Sequence, residues 1–405
     1  MTSDVPAAAA RRPLHLYVHV PFCARKCPYC HFYNLGHDDA RESVYLDALE
    51  RELAAWRGRG GLDGRRLETL YWGGGTPSML TGAGFERLAG LCLAAAPAAG
   101  DLEWTMEVNP DDATPERFDR WRARGVDRVS IGVQSFDPDR LDFLGRVHGP
   151  RRALDAVHGA LATGFRSVSI DLMFNLAAAG PAARRRAWAT DLATAFALPV
   201  HHLSLYGLTI EPGTAFASRT GAGATLTVPD PAYAAEYRAA RRAAERAGFE
   251  HYEVSSFARP GHRSRHNAAY WSGASYLGLG PSAHSFDGRR RWANASSLTA
   301  WAEALAVGGD PREFVETLGT GERAIETLYL GLRTREGAPA AHPLLAAPGA
   351  RPVVDALEAQ GLLRRTGSRI ACTGSGFLVL DALLERLVGP PGAASVRIDK
   401  VLQPR

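Results

Sequence analysis

Cysteine is scarce in this chain: five residues in 405, an odd number, with no secretory signal ahead of them. A disulfide framework is therefore a poor account of them. Long apolar runs are missing too, and nothing approaches the roughly 18 to 20 residues a membrane span needs. Nor is there an excess of one charge. The formal net charge is +4, and clusters such as Arg184-Arg185-Arg186 and Arg289-Arg290-Arg291 are short and set among acids. They read as solvated surface, and nothing argues for nucleic acid. Met1 to Pro13 place an alanine run ahead of two arginines, the wrong order for a signal peptide, and read as a disordered leader. No integral membrane segment is expected. The compartment expected is the cytoplasm, with any membrane contact peripheral and made through a partner.

What is present is an ordinary globular composition, 46% hydrophobic and 22% charged, in a chain long enough for one large domain and a smaller one. Six strand-like runs, near His15–Val20, Leu67–Trp72, Glu103–Val108, Arg128–Val133, Ser167–Leu172 and His202–Leu208, alternate with helical segments. These segments include Tyr45–Trp56, Ala83–Ala95, Pro115–Arg124, Arg151–Ala162 and Arg184–Phe196. Strict βα alternation predicts a parallel sheet with covering helices, as a barrel or a flat doubly wound sheet. No internal repeat exists beyond this alternation. After a helical run at Ala232–Ala247 come His251-Tyr252-Glu253, Arg265–Trp271 and Leu277–His284. Beyond about Pro311 short helices return with a small strand pair, which suggests a compact, winged-helix-like end.

Three of the five cysteines, Cys23, Cys27 and Cys30, lie in one loop directly behind the first strand, spaced C-x3-C-x2-C. Soft thiolates in one loop suit a [4Fe–4S] cubane, with one iron left open. On spacing alone the rival is a zinc site that recruits His19 or His31. Cys92 and Cys372 are remote in sequence. Unusual residues then recur at equivalent strand ends: Gly73-Gly74-Gly75-Thr76-Pro77 after strand two, Glu107 at three, Gln134 at four and Asp171 at five. Each alone would be an ordinary cap or turn residue. Five strands delivering such residues to one rim favour a barrel, whose active sites sit at that rim.

The cysteine spacing is also the signature of the radical S-adenosylmethionine (SAM) enzymes, in which the open iron chelates the amino and carboxylate groups of SAM. More closely, the chain resembles the coproporphyrinogen oxidase-like branch of that family from Tyr17 to about Leu387. The resemblance rests on Tyr17-Val-His-Val-Pro-Phe-Cys, Gly73-Gly-Gly-Thr-Pro, Glu107-Val-Asn-Pro, Ser130-Ile-Gly-Val-Gln-Ser-Phe, Leu144-Gly-Arg-Val-His and Ile170-Asp-Leu-Met. It implies that Cys23, Cys27 and Cys30 hold the cluster, and that Tyr17, Gly74, Gly75, Thr76, Glu107, Gln134, Arg146 and Asp171 contact SAM.

The oxidase carries a further cysteine where this chain has Phe32, and the heme-chaperone branch has phenylalanine there. That branch also carries an H-N-x-x-Y-W motif linked to heme, matched by His266-Asn267-Ala268-Ala269-Tyr270-Trp271. An imidazole can ligate heme iron and aromatics can stack on the macrocycle; a packed His–Tyr–Trp corner is the alternative. The chain departs from the family after Asp171, where Phe174-Asn175-Leu176-Ala177-Ala178 replaces a Gly-Leu-Pro turn, and at His31, usually an acid.

The fold implied is a partial parallel (β/α) barrel of the radical SAM type over residues 14–230. A barrel extension with the heme segment covers 231–310, and a smaller, mainly helical C-terminal domain covers 311–405. The function implied is a heme chaperone that binds a [4Fe–4S] cluster, SAM and heme, and delivers heme to apo-hemoproteins. The alternatives are an oxygen-independent coproporphyrinogen-III dehydrogenase, a radical SAM methyltransferase, and a structural cluster or zinc protein. No catalytic residue is assigned.

Overall fold

The computed structural model describes residues 11–388. Its centre is one twelve-stranded sheet. In chain order the strands are β1 (Arg12–Val20), β2 (Arg65–Gly74), β3 (Ala98–Val108), β4 (Arg128–Gln134), β5 (Ser167–Phe174), β6 (His202–Gly207), β7 (Glu250–Glu253), β8 (Ser256–Ala258), β9 (Tyr276–Leu279), β10 (His284–Phe286), β11 (Arg290–Asn294) and β12 (Arg312–Thr317). Their spatial order is β12-β11-β10-β9-β1-β2-β3-β4-β5-β6-β8-β7. β1 to β6 run parallel, as the βα alternation predicts, and β9 joins β1 in parallel. The sheet is extended at both ends by antiparallel strands and stays open: β7 and β12 are its edges among the described residues. The β7 edge is capped by the Arg333–Arg335 segment, through Val254 N–H to Arg333 O at 3.1 Å and Arg335 N–H to Tyr252 O at 2.9 Å.

Arg12 and Pro13, read from sequence as part of a leader, instead open β1 and pair with Arg65 and Arg66. Residues 1–10 of that leader lie outside the described residues. Arg312–Thr317, grouped by sequence with the C-terminal region, is the outermost strand of the main sheet. After it come the Thr320–Leu332 helix, a short strand, helices Pro343–Ala346 and Ala350–Ala359, a hairpin (Leu363–Thr366 with Arg369–Cys372) and the Leu380–Val388 helix.

Alternation along the strands decides what each face does. In β1, Leu14, Leu16, Val18 and Val20 are buried beneath the helices, and His15, Tyr17 and His19 face the other way. The pattern repeats in register. Tyr17 pairs with Tyr71, Tyr71 with Thr105, Thr105 with Arg128, Ser130 with Ser169, and Asp171 with Ser204. The concave face is therefore a polar lattice. A closed (β/α) barrel fills that space with branched apolar side chains; here hydrogen bonds fill it, His15 to Thr69 at 3.0 Å, Arg128 to Ser167 at 2.8 Å, and Ser169 to His202 at 2.8 Å. Among the described residues no helix is long and apolar enough to cross a membrane.

Candidate functional site

The cysteine loop leaves the end of β1 and is pinched at its neck. Leu35 N–H donates to Pro21 O at 2.8 Å and Cys23 N–H to Leu35 O at 2.9 Å. The three thiols are free and half-buried, each beside a different polar group. Thr76 Oγ1 lies 3.4 Å from Cys23 Sγ, Arg146 Nη1 3.5 Å from Cys27 Sγ, and Asn34 Nδ2 3.8 Å from Cys30 Sγ. Such donors to sulfur are what a thiolate-held cluster needs around it. Burial raises the Cys23 and Cys30 thiols, the latter to about 11, so a metal must displace their protons to bind. Three soft thiolates in one loop suit a [4Fe–4S] cubane, whereas a zinc ion would need His19 or His31 as a fourth ligand. His19 is also engaged elsewhere, Nε2 with Tyr33 O at 2.9 Å and Nδ1 with the Tyr17 hydroxyl at 3.3 Å.

The glycines behind β2 let this loop and the next strand close on one turn. A Cβ on Gly73 would stand 2.9 Å from the Glu107 carboxyl, and one on Gly75 2.7 Å from the carbonyl oxygens of Val20 and Phe22. At Gly74, φ is +101° and the His19 ring occupies the space a Cβ would take. The same turn donates Gly75 N–H to Val20 O and Thr76 N–H to Phe22 O, at 2.9 and 2.6 Å. Only glycine permits both the backbone conformation and the approach.

Two carboxylates face the concave side without a cation in direct contact. Glu107 accepts from the Tyr71 hydroxyl at 2.8 Å and from Gly74 N–H at 3.3 Å. Burial, aided by the nearby Asp171 charge, raises it to about 7. Asp171 accepts from Ser130 Oγ at 3.1 Å, and burial raises it to about 6. Buried carboxylates held by neutral donors fit a cationic ligand such as the ammonium and sulfonium of SAM. Arg146 joins this rim to the loop: besides Cys27, it reaches Gly132 O at 3.1 Å and Asn109 Oδ1 at 3.3 Å. Gln134 sits at φ +65°, an uncommon conformation for a side-chain-bearing residue and one that collects at functional sites. The turn behind it is held from beneath by Asp191, which accepts from Ser135 Oγ at 2.8 Å and Phe136 N–H at 2.6 Å and pairs with Arg140 at 3.0 Å.

The turn after Asp171 is held by Asn175. Asn175, standing where the family turn has glycine, adopts φ +67°, which asparagine tolerates best after glycine. Its side chain donates to Leu208 O at 2.7 Å and accepts from Val228 N–H at 3.0 Å.

Tyr17, Gly74, Glu107 and His266 line one cavity of about 370 Å³. Thr76 and Arg146 instead touch the cysteine sulfurs. His266 itself is buried, and both ring nitrogens are engaged: Nδ1 with Thr69 Oγ1 and Nε2 with the Tyr270 hydroxyl, each at 2.7 Å. Its ring stacks on Tyr71, with centroids 5.1 Å apart. Burial drives its pKa well below the usual histidine range, so the ring is neutral. As placed, His266 anchors the Arg265–Trp271 helix. Sequence reasoning missed Tyr71, Tyr206 and Glu253 in the same wall; the signal available was the period-two run of polar residues inside each strand.

Comparison with known proteins gives the family. The radical SAM superfamily matches residues 17–176. The heme chaperone HemW of Mycobacterium tuberculosis is 37% identical over 385 residues, covering 93% of this chain and 95% of that one. HemW of Escherichia coli is 34% identical over 386 residues, with 92% and 97% covered. Among solved structures, coproporphyrinogen III oxidase (HemN) from Escherichia coli, a radical SAM enzyme, superposes with a TM-score of 0.79 at 25% identity, covering 93% of this chain and 90% of that one. The cysteine loop, the glycine turn and near full-length kinship agree, and the chain belongs to the radical SAM superfamily and, within it, to the HemW family of heme chaperones.

Proposed function

We propose that this protein is a radical SAM heme chaperone: it holds a [4Fe–4S] cluster on Cys23, Cys27 and Cys30, binds SAM along the rim, and carries heme to apo-hemoproteins. The cluster, when bound, supplies an open iron to chelate SAM. The chain's own residues do the rest. Gly74 and Gly75 give close backbone approach, Glu107 and Asp171 supply negative charge, and Tyr17, Thr76, Gln134 and Arg146 complete the rim. The observation that carries the cargo reading is the position of the His266–Trp271 segment. Tyr270 and Trp271 wall the rim-side cavity and also a second one of about 590 Å³, which opens beside the cysteine loop. That volume lies within the roughly 300 to 1,000 Å³ of ligand sites.

The likeness to HemN favours one rival, oxidative decarboxylation of coproporphyrinogen III. Phe32, in place of the oxidase's further cysteine, argues against it. A single anaerobic experiment separates the two: reconstitute the cluster, titrate hemin, then assay 5′-deoxyadenosine, protoporphyrinogen and heme transfer to an apo-hemoprotein. Stoichiometric hemin binding with transfer is expected. Robust protoporphyrinogen formation would replace the chaperone reading with the oxidase one.

A further inference from the structure

Two neighbouring helices of the outer layer, Pro181–Ala197 and Asp230–Arg246, do not close on each other along their length. They are joined near one end by Trp188 Nε1–H, which donates to Glu236 O at 3.0 Å, and near the other by the edge-on rings of Phe196 and Phe249, 5.5 Å apart. Between these ties lies an open groove of about 740 Å³, larger than either cavity beside the rim and sharing no lining residue with them. We infer that this groove docks an amphipathic helix of a partner protein, one whose apolar edge is bordered by Asp and Glu.

Floor and rim of the groove differ in chemistry. Trp188, Leu192 and Phe196 form one side, and Ala235, Ala239 and Ala243, four residues apart, line up along the other. Methyl side chains there let a third helix approach to the spacing of packed helices, about 8–10 Å between axes. From Ala232 to Ala247 this wall runs for about 22 Å at 1.5 Å per residue. The rim is basic. Arg185, Arg242 and Arg246 line it and are exposed, and the last two repel each other across one helical turn. Among the described residues the ion pairs of these helices are Arg184–Glu236 at 2.9 Å, Arg241–Glu245 at 2.7 Å and Arg140–Asp191 at 3.0 Å, which leaves those three arginines without a carboxylate. The one acid in the lining, Glu236, is buried and already engaged by Arg184 and by Asn175 N–H, the latter at 2.9 Å. An occupant must therefore bring apolar surface for the floor and negative charge for the rim.

Shape and charge decide among occupants. A bilayer takes up apolar side chains that project from a surface. Here Trp188 and Leu192 lie at the bottom, 2% and 6% exposed, beneath projecting arginines. The chain's own residues 389–405 carry Arg397, Lys400 and Arg405 against the single acid Asp399, so the rim repels them. Helix-in-groove recognition uses an apolar edge at i, i+3, i+4, i+7 spacing. Acids on either side of such an edge would meet Arg185 from one helix and Arg242 and Arg246 from the other. A partner seated there also rests against a support of the SAM rim, because Glu236 joins the groove to the turn after Asp171 through Asn175.

The test is fluorescence anisotropy of the anaerobically reconstituted full chain with a labelled helical peptide of about 18 residues, enough to span the alanine wall. Its leucines form one edge, with glutamates on both sides, and the same peptide with lysine for glutamate is the control. The glutamate peptide is expected to bind saturably, and more weakly in about 0.5 M salt, whereas the lysine peptide should not bind. Arg242→Glu/Arg246→Glu should weaken binding at least about tenfold. Ala235→Trp, which fills the groove from an exposed position, should weaken it by a similar factor. Absence of saturable binding up to about 1 mM, equal binding of the two peptides, or unchanged affinity in either variant would overturn the inference. Binding to anionic phosphatidylglycerol vesicles that both variants lose would overturn it as well, by making a lipid surface the occupant. Circular dichroism, iron and sulfide on each variant show that the fold is retained.

Discussion

Glu107→Gln should move stability and cofactor affinity in opposite directions. In the folded protein burial raises this carboxyl from 4.5 to about 7. Between those values the folded chain holds a proton that the unfolded chain releases, so stability falls as pH rises through this window and the loss is complete above about 7. A displacement of this size corresponds to on the order of 3 kcal/mol at pH 8.5 and about 1 kcal/mol at pH 5.5. Glutamine keeps one oxygen to accept from Gly74 N–H, its NH2 can donate to the Tyr71 hydroxyl oxygen in place of the bond lost there, and it carries no charge. The cluster-free variant should therefore be more stable than wild type, by a margin that widens by roughly 2 kcal/mol from pH 5.5 to 8.5. SAM affinity should fall about ten- to a hundredfold, the value of a charged hydrogen bond, and in the wild type it should weaken as pH drops below about 7. Urea unfolding at the two pH values and calorimetric SAM titration of reconstituted protein measure both. A variant no more stable at pH 8.5 than wild type, or one with unchanged SAM affinity, would refute the role of Glu107 as a buried, unneutralised carboxylate awaiting a cation.

Serine at Cys23, Cys27 or Cys30 should abolish the cluster. Cys92→Ala should leave iron and sulfide content intact and cost about 1–2 kcal/mol in urea, because Cys92 is a buried apolar residue of the Gly82–Leu93 helix. Gly75→Ala would press a methyl onto the Val20 and Phe22 carbonyls and should cost about 1–3 kcal/mol, with SAM binding weakened as the turn shifts; isothermal titration beside urea unfolding reads both. Arg140→Ala strands the buried Asp191 and should destabilise by about 3–5 kcal/mol in chemical denaturation, partly recovered in the Arg140→Ala/Asp191→Ala double variant.

The parallel half of the sheet was legible because its strands are long, apolar on one face and separated by amphipathic helices. β7 to β12 were not. Ser256–Ala258 and His284–Phe286 are three residues each, too short to show a period, and their partners are distant or antiparallel. The rim residues could be read because each ends a strand. Thr69, Ser130 and Ser204 could not be singled out, since a small polar residue inside a strand gains meaning only when register places it beside others. His266 shows the opposite difficulty. Its motif was visible, but no motif says whether an imidazole opens to a cavity or closes on Thr69 and Tyr270. The departure after Asp171 was visible too, but no pattern says that Asn175 adopts a left-handed conformation there.

The place of β1 in the sheet has a consequence for how the protein comes into being on the ribosome. β1 carries the cysteine loop, yet one of its two neighbours is β9: His15 pairs with Tyr276 and Val18 with Leu279. At about 5–20 residues per second, on the order of tens of seconds separate synthesis of the cysteines from synthesis of the strand that completes their support. Throughout that interval the thiols sit on a sheet edge, open to oxidants and stray metals alike. A polypeptide stalled before Tyr276 should therefore present its three thiols behind a strand that lacks its β9 neighbour.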